Sequence, residues 1–385
     1  MILQSLSYLE FENDSRRWEL ENFDLNTINL LVGKNASGKT RITNVIYGFA
    51  GFFLNSRIPV RFGQYKTCFK HDGKTYIYDI YIDNGVITKE LLTIDSDIFI
   101  ERYKNGEGFI CNAQNERQSF KIPTDELIST RKDEKNYPFL NLFYDWAVLV
   151  RLFKFTSERT KQTISIVDTN TPHTPQFNLK ETDKAIGVLS LGLQKYGDAF
   201  KNSIIADFNK IGYNISSISI GKLVTIEMDD VIRGSVEGIL VQEKDLKIVT
   251  DQVGMSDGMF RALSIILHFN YYNFEGTHGC VIIDDIGEGL DYERSTNLIQ
   301  LLIEKAEDNS LIQLIMSTND KFIMNETKLE YWQIVSRNGS LVKLYNQKNN
   351  QEIFDQFKYT GLNNFDFFST DFYKTGFEDF EQENV

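Results

Sequence analysis

The chain has 385 residues, 42% of them hydrophobic and 25% charged, enough apolar material for one large core or two lobes. A formal net charge of −13 opposes general adhesion to nucleic acid, because phosphate contacts need clustered Lys and Arg to release counterions. Cys68, Cys111 and Cys280 lack metal-like spacing and His71, His173, His268 and His278 are scattered, so a zinc centre is not indicated and a reducing compartment fits best.

The first residues, MILQSLSYLEFEND, lack the basic start and apolar centre of a secretory leader, and no apolar run is long enough to span a bilayer. A soluble, cytoplasmic protein without membrane contact is expected. Tyr8 and Trp18 are either core residues or candidates to stack on a nucleobase. Residues 25–32, LNTINLLV, are apolar and β-rich enough for a buried strand, and TRITNVIYGFAGFF from Thr40 has helical spacing. Between strand and helix lies GKNASGKT, residues 33–40. This is the context a phosphate cradle requires: Gly33 and Gly38 let the backbone turn so that consecutive N–H groups point inward, and the helix start adds partial positive charge. The candidate nucleotide contacts are Gly33, Lys34, Asn35, Ala36, Ser37, Gly38, Lys39, Thr40 and Arg41. Lys39 is expected to pair with the β- and γ-phosphates of ATP and Thr40 to offer its hydroxyl to Mg²⁺.

Further along, KTYIYDIYID (residues 74–83) reads as one of an aromatic-rich antiparallel set, with DNG marking a hairpin. Three regions follow from the pattern: an N-terminal lobe to about residue 100, a mainly helical insertion over 101–205, and a second lobe over 206–385. The insertion holds two helical candidates, NYPFLNLFYDWAVLVRLFKF and KAIGVLSLGLQKYGDAFKNSIIADF. Neither sustains heptads, which excludes long coiled-coil arms. RKDEKN (residues 131–136) and SERTKQ (residues 157–162) are candidate basic patches, but each mixes signs and reads first as solvated surface.

In the second lobe, SSISIGKLVTIEM and GSVEGILVQEKDLKIV are strand candidates leading to MSDGMFRALSIILHFNYY. There Ser256 is a plausible N-cap, so the helix would present free N–H groups at its start. CVIIDD (residues 280–285) is a β-branched run ending in two carboxylates, as expected of a central parallel strand facing a ligand crevice. Asp284 is the candidate Mg²⁺ ligand and Asp285 the candidate base that orients the attacking water; Glu288 stands as a substitute base. Asp291 closes GEGLD as a residue able to reach across a dimer seam. A helix STNLIQLLIEKA and a strand SLIQLIMS come next. The C-terminal stretch is rich in aromatics, and Phe365, Phe367, Phe368, Phe372 and Tyr373 either cover an edge of the second lobe or form a docking surface.

On these motifs the chain resembles the ATPases of the ABC superfamily, in the small RecF/SMC-like, AAA-type branch found in bacterial genome-maintenance and phage-defence operons. GKNASGKT matches the family's Walker A motif, MSDGMFR its signature motif through Ser256 and Gly258, VIIDD Walker B, and GLD the D-loop. The resemblance implies an α/β fold of the ABC-type P-loop NTPase, with a mixed parallel and antiparallel sheet core and a helical insertion. It implies a homodimer or higher oligomer with ATP and Mg²⁺ at the interface, where Ser256 and Gly258 of one copy face the γ-phosphate held by the other. Two positions depart from the family pattern. Asp285 stands where glutamate is usual, which implies slow hydrolysis, and Asn319 stands where the switch histidine is usual. An amide still donates a hydrogen bond to the γ-phosphate but carries no charge. No further catalytic set is visible, so the expected role is an ATP-driven sensor or scaffold for a separately encoded effector such as a nuclease, in anti-phage defence. The alternatives are a DNA-repair or chromosome-maintenance ATPase that binds DNA directly, which the acidic balance disfavours, and a transporter's ATP-binding subunit, disfavoured by Asp257 and Asn319.

Overall fold

A computed structural model describes residues 1–55, 57–131, 133–154, 165–167, 185–225, 235–246 and 248–377. In chain order the strands begin β1 (Ile2–Glu10), β2 (Trp18–Asp24), β3 (Ile28–Val32), β4 (Gly63–His71), β5 (Lys74–Asp83), β6 (Val86–Ile94), β7 (Asp97–Tyr103), β8 (Glu107–Cys111) and β9 (Arg117–Lys121). They continue β10 (Val150–Phe153), β11 (Ser165–Val167), β12 (Ile215–Lys222), β13 (Ser235–Glu243), β14 (Val249–Asp251), β15 (Gly279–Ile283), β16 (Ile312–Thr318), β17 (Trp332–Asn338) and β18 (Leu341–Tyr345). The α-helices are α1 (Lys39–Phe52), α2 (Pro138–Val148), α3 (Ala185–Lys210), α4 (Asp257–Glu275), α5 (Tyr292–Asp308), α6 (Lys321–Glu326), α7 (Gln351–Phe357), α8 (Asn364–Ser369) and α9 (Phe372–Thr375). Among the described residues no helix is long and apolar enough to cross a membrane.

The chain divides into two compact units. The first comprises Met1–Val150, His278–Ile282 and Gln313–Val385. Its sheet runs β15-β16-β3-β17-β18-β2-β1-β4-β5-β6-β7-β8-β9. β16 and β17 pair with β3 in parallel, whereas β1 and β4–β9 form an antiparallel meander. β3, β15 and β16 are buried at every position, the signature of parallel strands covered on both faces. The meander alternates buried and exposed residues, as one-sided sheets do; DNG forms its β5–β6 turn with Asn84 and Gly85 both at positive φ. Phe49, Phe53, Phe69, Phe143 and Trp146 bring α1 and α2 together over β4 in a chain of ring contacts.

The second unit comprises Arg151–Thr277 and Ile283–Ile312. β13 pairs with β12, and with β11 and β14. α4 is almost wholly buried, and α3 breaks at Gly197, which adopts φ 58°. A partly buried ion pair from Lys305 on α5 to Asp207 on α3, at 2.9 Å, is joined by Asn270 of α4, which donates to Asp207 at 2.6 Å.

Several expectations are corrected. The first helical candidate stops at Val148, and Val150–Phe153 is strand; buried Val150 and Phe153 belong to a β-branched and aromatic tail that suits a strand better than a fourth helical turn. β8 and β9 occupy residues expected to open a mainly helical stretch. Of the C-terminal aromatics, Phe367, Phe368, Phe372 and Tyr373 are buried, with Phe367 against Phe354 and Phe357 and Tyr373 against Tyr345. They cover part of the first unit. SERTKQ lies outside the described residues, and the ends of RKDEKN, Arg131 and Asn136, are exposed.

Candidate functional site

In the first unit, β3 delivers the chain into the phosphate loop. A Cβ on Gly33 would lie 2.6 Å from Ser37 Oγ and 2.9 Å from the Val335 carbonyl, so only glycine fits where the loop passes β17. Ala36 at φ 63° and Gly38 at φ 112° then curl the loop over its own N–H groups. α1 starts with no side-chain cap and no acid in its first turn, whereas α4 and α5 are capped by Ser256 and Asp291. A helix start with no side-chain cap and no acid in its first turn directs its dipole at an anion. Lys39 Nζ donates to the Gly33 carbonyl at 2.6 Å and the Lys34 carbonyl at 3.2 Å, acceptors that a triphosphate would replace. Thr40 is exposed on the first turn, and its hydroxyl is the hard oxygen donor that Mg²⁺ prefers. These residues fit ATP and Mg²⁺ by donor chemistry.

Strand register brings Asn319 to the loop. Thr318 of β16 pairs with Val32 of β3, so the two strands end together, and Asn319 Nδ2 donates to Asn35 Oδ1 at 2.9 Å. Arg41 turns the other way: its guanidinium lies 4.5 Å over the Trp18 ring and pairs with Glu10. Trp18 and Tyr8 are 1% and 5% exposed, so both are core and neither shows a free face for a base. Beside the loop, Lys34, Ser37, Arg337, Asp371, Tyr373 and Lys374 line a recess of about 380 Å³.

The second unit carries the other motifs. Ser256 Oγ accepts from Met259 N at 3.2 Å, capping α4; a hydroxyl that accepts in this way still has its own proton to donate. The approach to this cap is fixed by Asp251. Its carboxylate accepts from the amides of Val224, Thr225, Val253 and Gly254 and from the Thr225 hydroxyl, and Met255 N donates to its carbonyl at 3.1 Å. Gly258 meets the backbone that follows Walker B: a Cβ there would lie 2.2 Å from the Gly289 carbonyl oxygen. Asp284 is buried where β15 ends, and its N–H donates to the Phe153 carbonyl at 2.9 Å. Asp285 adopts φ 59° and opens a turn in which Glu288 N donates to its carbonyl at 3.1 Å. Glu288 is ion-paired with Arg261 at 3.1 Å. Asp291 caps α5 through Arg294 N at 2.9 Å and pairs with the Arg294 side chain. The Arg294 amide, more than that guanidinium, holds the Asp291 carboxyl below its ordinary range.

Sequence reasoning missed Arg261, Asp251 and the Glu10–Arg41–Trp18 stack. Arg261 is part of MSDGMFR, yet nothing in the string says that its partner is Glu288, 27 residues on.

A family model described as "AAA domain, putative AbiEii toxin, Type IV TA system" matches residues 28–325. That is more than half of the chain, which belongs to this family. Among solved structures, the SMC head bound to the C-winged helix domain of ScpA is similar at a TM-score of 0.53 and 14% identity, over 91% of this chain and 100% of that one. The SMC head domain with an extended coiled coil bound to the C-terminal domain of ScpA, derived from Pyrococcus furiosus, gives 0.50 and 12%, over 92% and 99%. At such identities the likeness shows the fold alone, that of an SMC head. No curated protein matches the chain.

Proposed function

We propose, for a chain that belongs to this AAA-domain family and has the fold of an SMC head, that it is an ATP-binding and hydrolysing switch that pairs with a second copy around ATP and Mg²⁺. The observation that carries this reading is the start of α1, uncapped and acid-free behind a glycine turn, with Lys39 at the loop and Asn319 hydrogen-bonded to Asn35. In this reading Lys39 and the loop amides hold the phosphates, Thr40 and Asp284 hold Mg²⁺, and Asp285 orients the attacking water. Ser256 of the second copy donates to the γ-phosphate. Bound triphosphate supplies the negative charge that the start of α1 favours and an acceptor for Ser256 of the second copy, so hydrolysis loosens the pair.

The output is delivered to a separately encoded effector, nuclease-like in class, in bacterial anti-phage defence. The SMC heads cited above are bound to domains of a separate protein, ScpA, and the family description names a toxin–antitoxin system; both support a two-component arrangement. Direct clamping of DNA is disfavoured by the net charge of −13.

Light scattering with ATP and Mg²⁺ tests the switch. The wild type should double in mass with nucleotide and Lys39→Ala should not; a Lys39→Ala chain that pairs as well as wild type refutes the role of the loop. Pull-down from the native host with ATP and Mg²⁺ tests the effector, and recovery of DNA in place of a protein would favour the clamp.

A further inference from the structure

We infer that Arg261 is the positioning residue that ties residues 285–291 to the start of α4, and that Glu288 is its counter-ion rather than the catalytic base; this rests on the ATPase reading above. The Arg261 side chain is 7% exposed, while that of Glu288 is 52% exposed. Arg261 Nη2 donates to Glu288 Oε2 at 3.1 Å, and Nη1 donates to the Glu288 main-chain carbonyl. A guanidinium that grips one residue by carboxylate and backbone together fixes a loop, which a single-point ammonium does not.

A second tie lies one turn earlier on the same helix. The carbonyl of Gly289 approaches Gly258 so closely that a Cβ would stand 2.2 Å from it. Between them these contacts hold a segment built of two tight turns, with Glu288 N donating to the Asp285 carbonyl at 3.1 Å and Leu290 N to the Gly287 carbonyl at 3.3 Å. The segment opens on Asp285 at φ 59°, a left-handed turn conformation that Asp adopts more readily than most residues with a side chain. Asp257 and Asp285 also lie in the field of the Arg261 charge.

The consequence is mechanical. Ser256, Gly258 and Arg261 share one helix start, so a nucleotide of the second copy that meets Ser256 acts on the body that carries Asp285. Occupancy at one site thereby sets the geometry of the base at the other.

The experiment compares steady-state ATP hydrolysis with affinity for a non-hydrolysable ATP analogue, on the full chain. Arg261→Ala and Glu288→Ala should each lower kcat by about 10- to 100-fold with analogue affinity held within about threefold, and the double variant should fall no further. Glu288→Gln, which keeps an acceptor for the guanidinium, should lose less than about tenfold, whereas removal of a general base costs about 100-fold or more. Arg261→Lys keeps the charge without the fork and should fall between wild type and Arg261→Ala; with Glu288→Ala it decides the matter if Arg261→Ala does not fold. Glu288→Gln falling as far as Asp285→Asn overturns the inference, as do additive losses in the double variant or equal losses in binding and kcat. A wild type that hydrolyses no ATP overturns the ATPase reading itself, while full activity in Arg261→Ala overturns only the tie.

Discussion

Asp251→Asn is the sharpest perturbation available to the signature helix without touching a motif. In the wild type Asp251 is 2% exposed, and both carboxylate oxygens accept several bonds. Oδ2 accepts from Val224 N and Thr225 N, each at 2.7 Å, and Oδ1 from the Thr225 hydroxyl at 2.9 Å, Gly254 N at 3.0 Å and Val253 N at 3.1 Å. Whichever way an asparagine amide turns, its NH₂ faces at least two N–H donors. Two charge-assisted bonds at about 1.5–3 kcal/mol each are lost and a donor meets donors, so after local relaxation we expect destabilisation of about 3–5 kcal/mol. Urea unfolding of both chains at pH 7 measures it. The pH dependence has a definite sign. Burial pushes the Asp251 carboxyl up, but bonds from Thr225, Gly254 and Val224 outweigh it and hold the group below its ordinary value. A depressed folded pKa contributes stability that is fully present above the unfolded value of about 3.9 and is lost as pH falls through the folded value. The gap between wild type and variant should therefore stay constant from about pH 8 to 5 and narrow only below about pH 4. A gap under about 1 kcal/mol at pH 7, or one that already narrows between pH 8 and 5, would refute this account.

Gly33→Ala sets a methyl 2.6 Å from Ser37 Oγ and 2.9 Å from the Val335 carbonyl, so the loop must open; nucleotide titration calorimetry should show lost affinity, and unchanged binding would mean the loop is slack. Gly258→Ala meets the Gly289 carbonyl at 2.2 Å. Overpacking of about 1–3 kcal/mol should exceed the gain of about 1 kcal/mol in helix propensity, and thermal unfolding with an ATPase assay reads both losses. Asp285→Asn should slow phosphate release by about 100-fold or more and prolong the ATP-bound pair in light scattering; unchanged hydrolysis would place the base elsewhere.

The α/β class with its mixed sheet was legible because buried strands such as LNTINLLV and CVIID and the alternating KTYIYDIYID carry their own periodicity. The phosphate loop was legible too, since its glycines and the helix after it are contiguous. The end of α2 was not. YDWAVLVRLFKF is apolar at nearly every position, and helix and strand are indistinguishable there until β10 is placed. Trp18 beside a strand looked equally suited to core or base stacking, and only its 1% exposure decides.

Sequence alone determined the chemistry of the motifs: which residues turn the phosphate loop, which residue caps α4, and where carboxylates end the buried strand. Each is set by backbone conformation within a few residues. Tertiary structure alone decided the partnerships, Asn319 with Asn35 through parallel register and Arg261 with Glu288 through the close approach of Gly258 to Gly289. Such pairings depend on how whole elements pack, and local periodicity carries no term for the distance between one element and another.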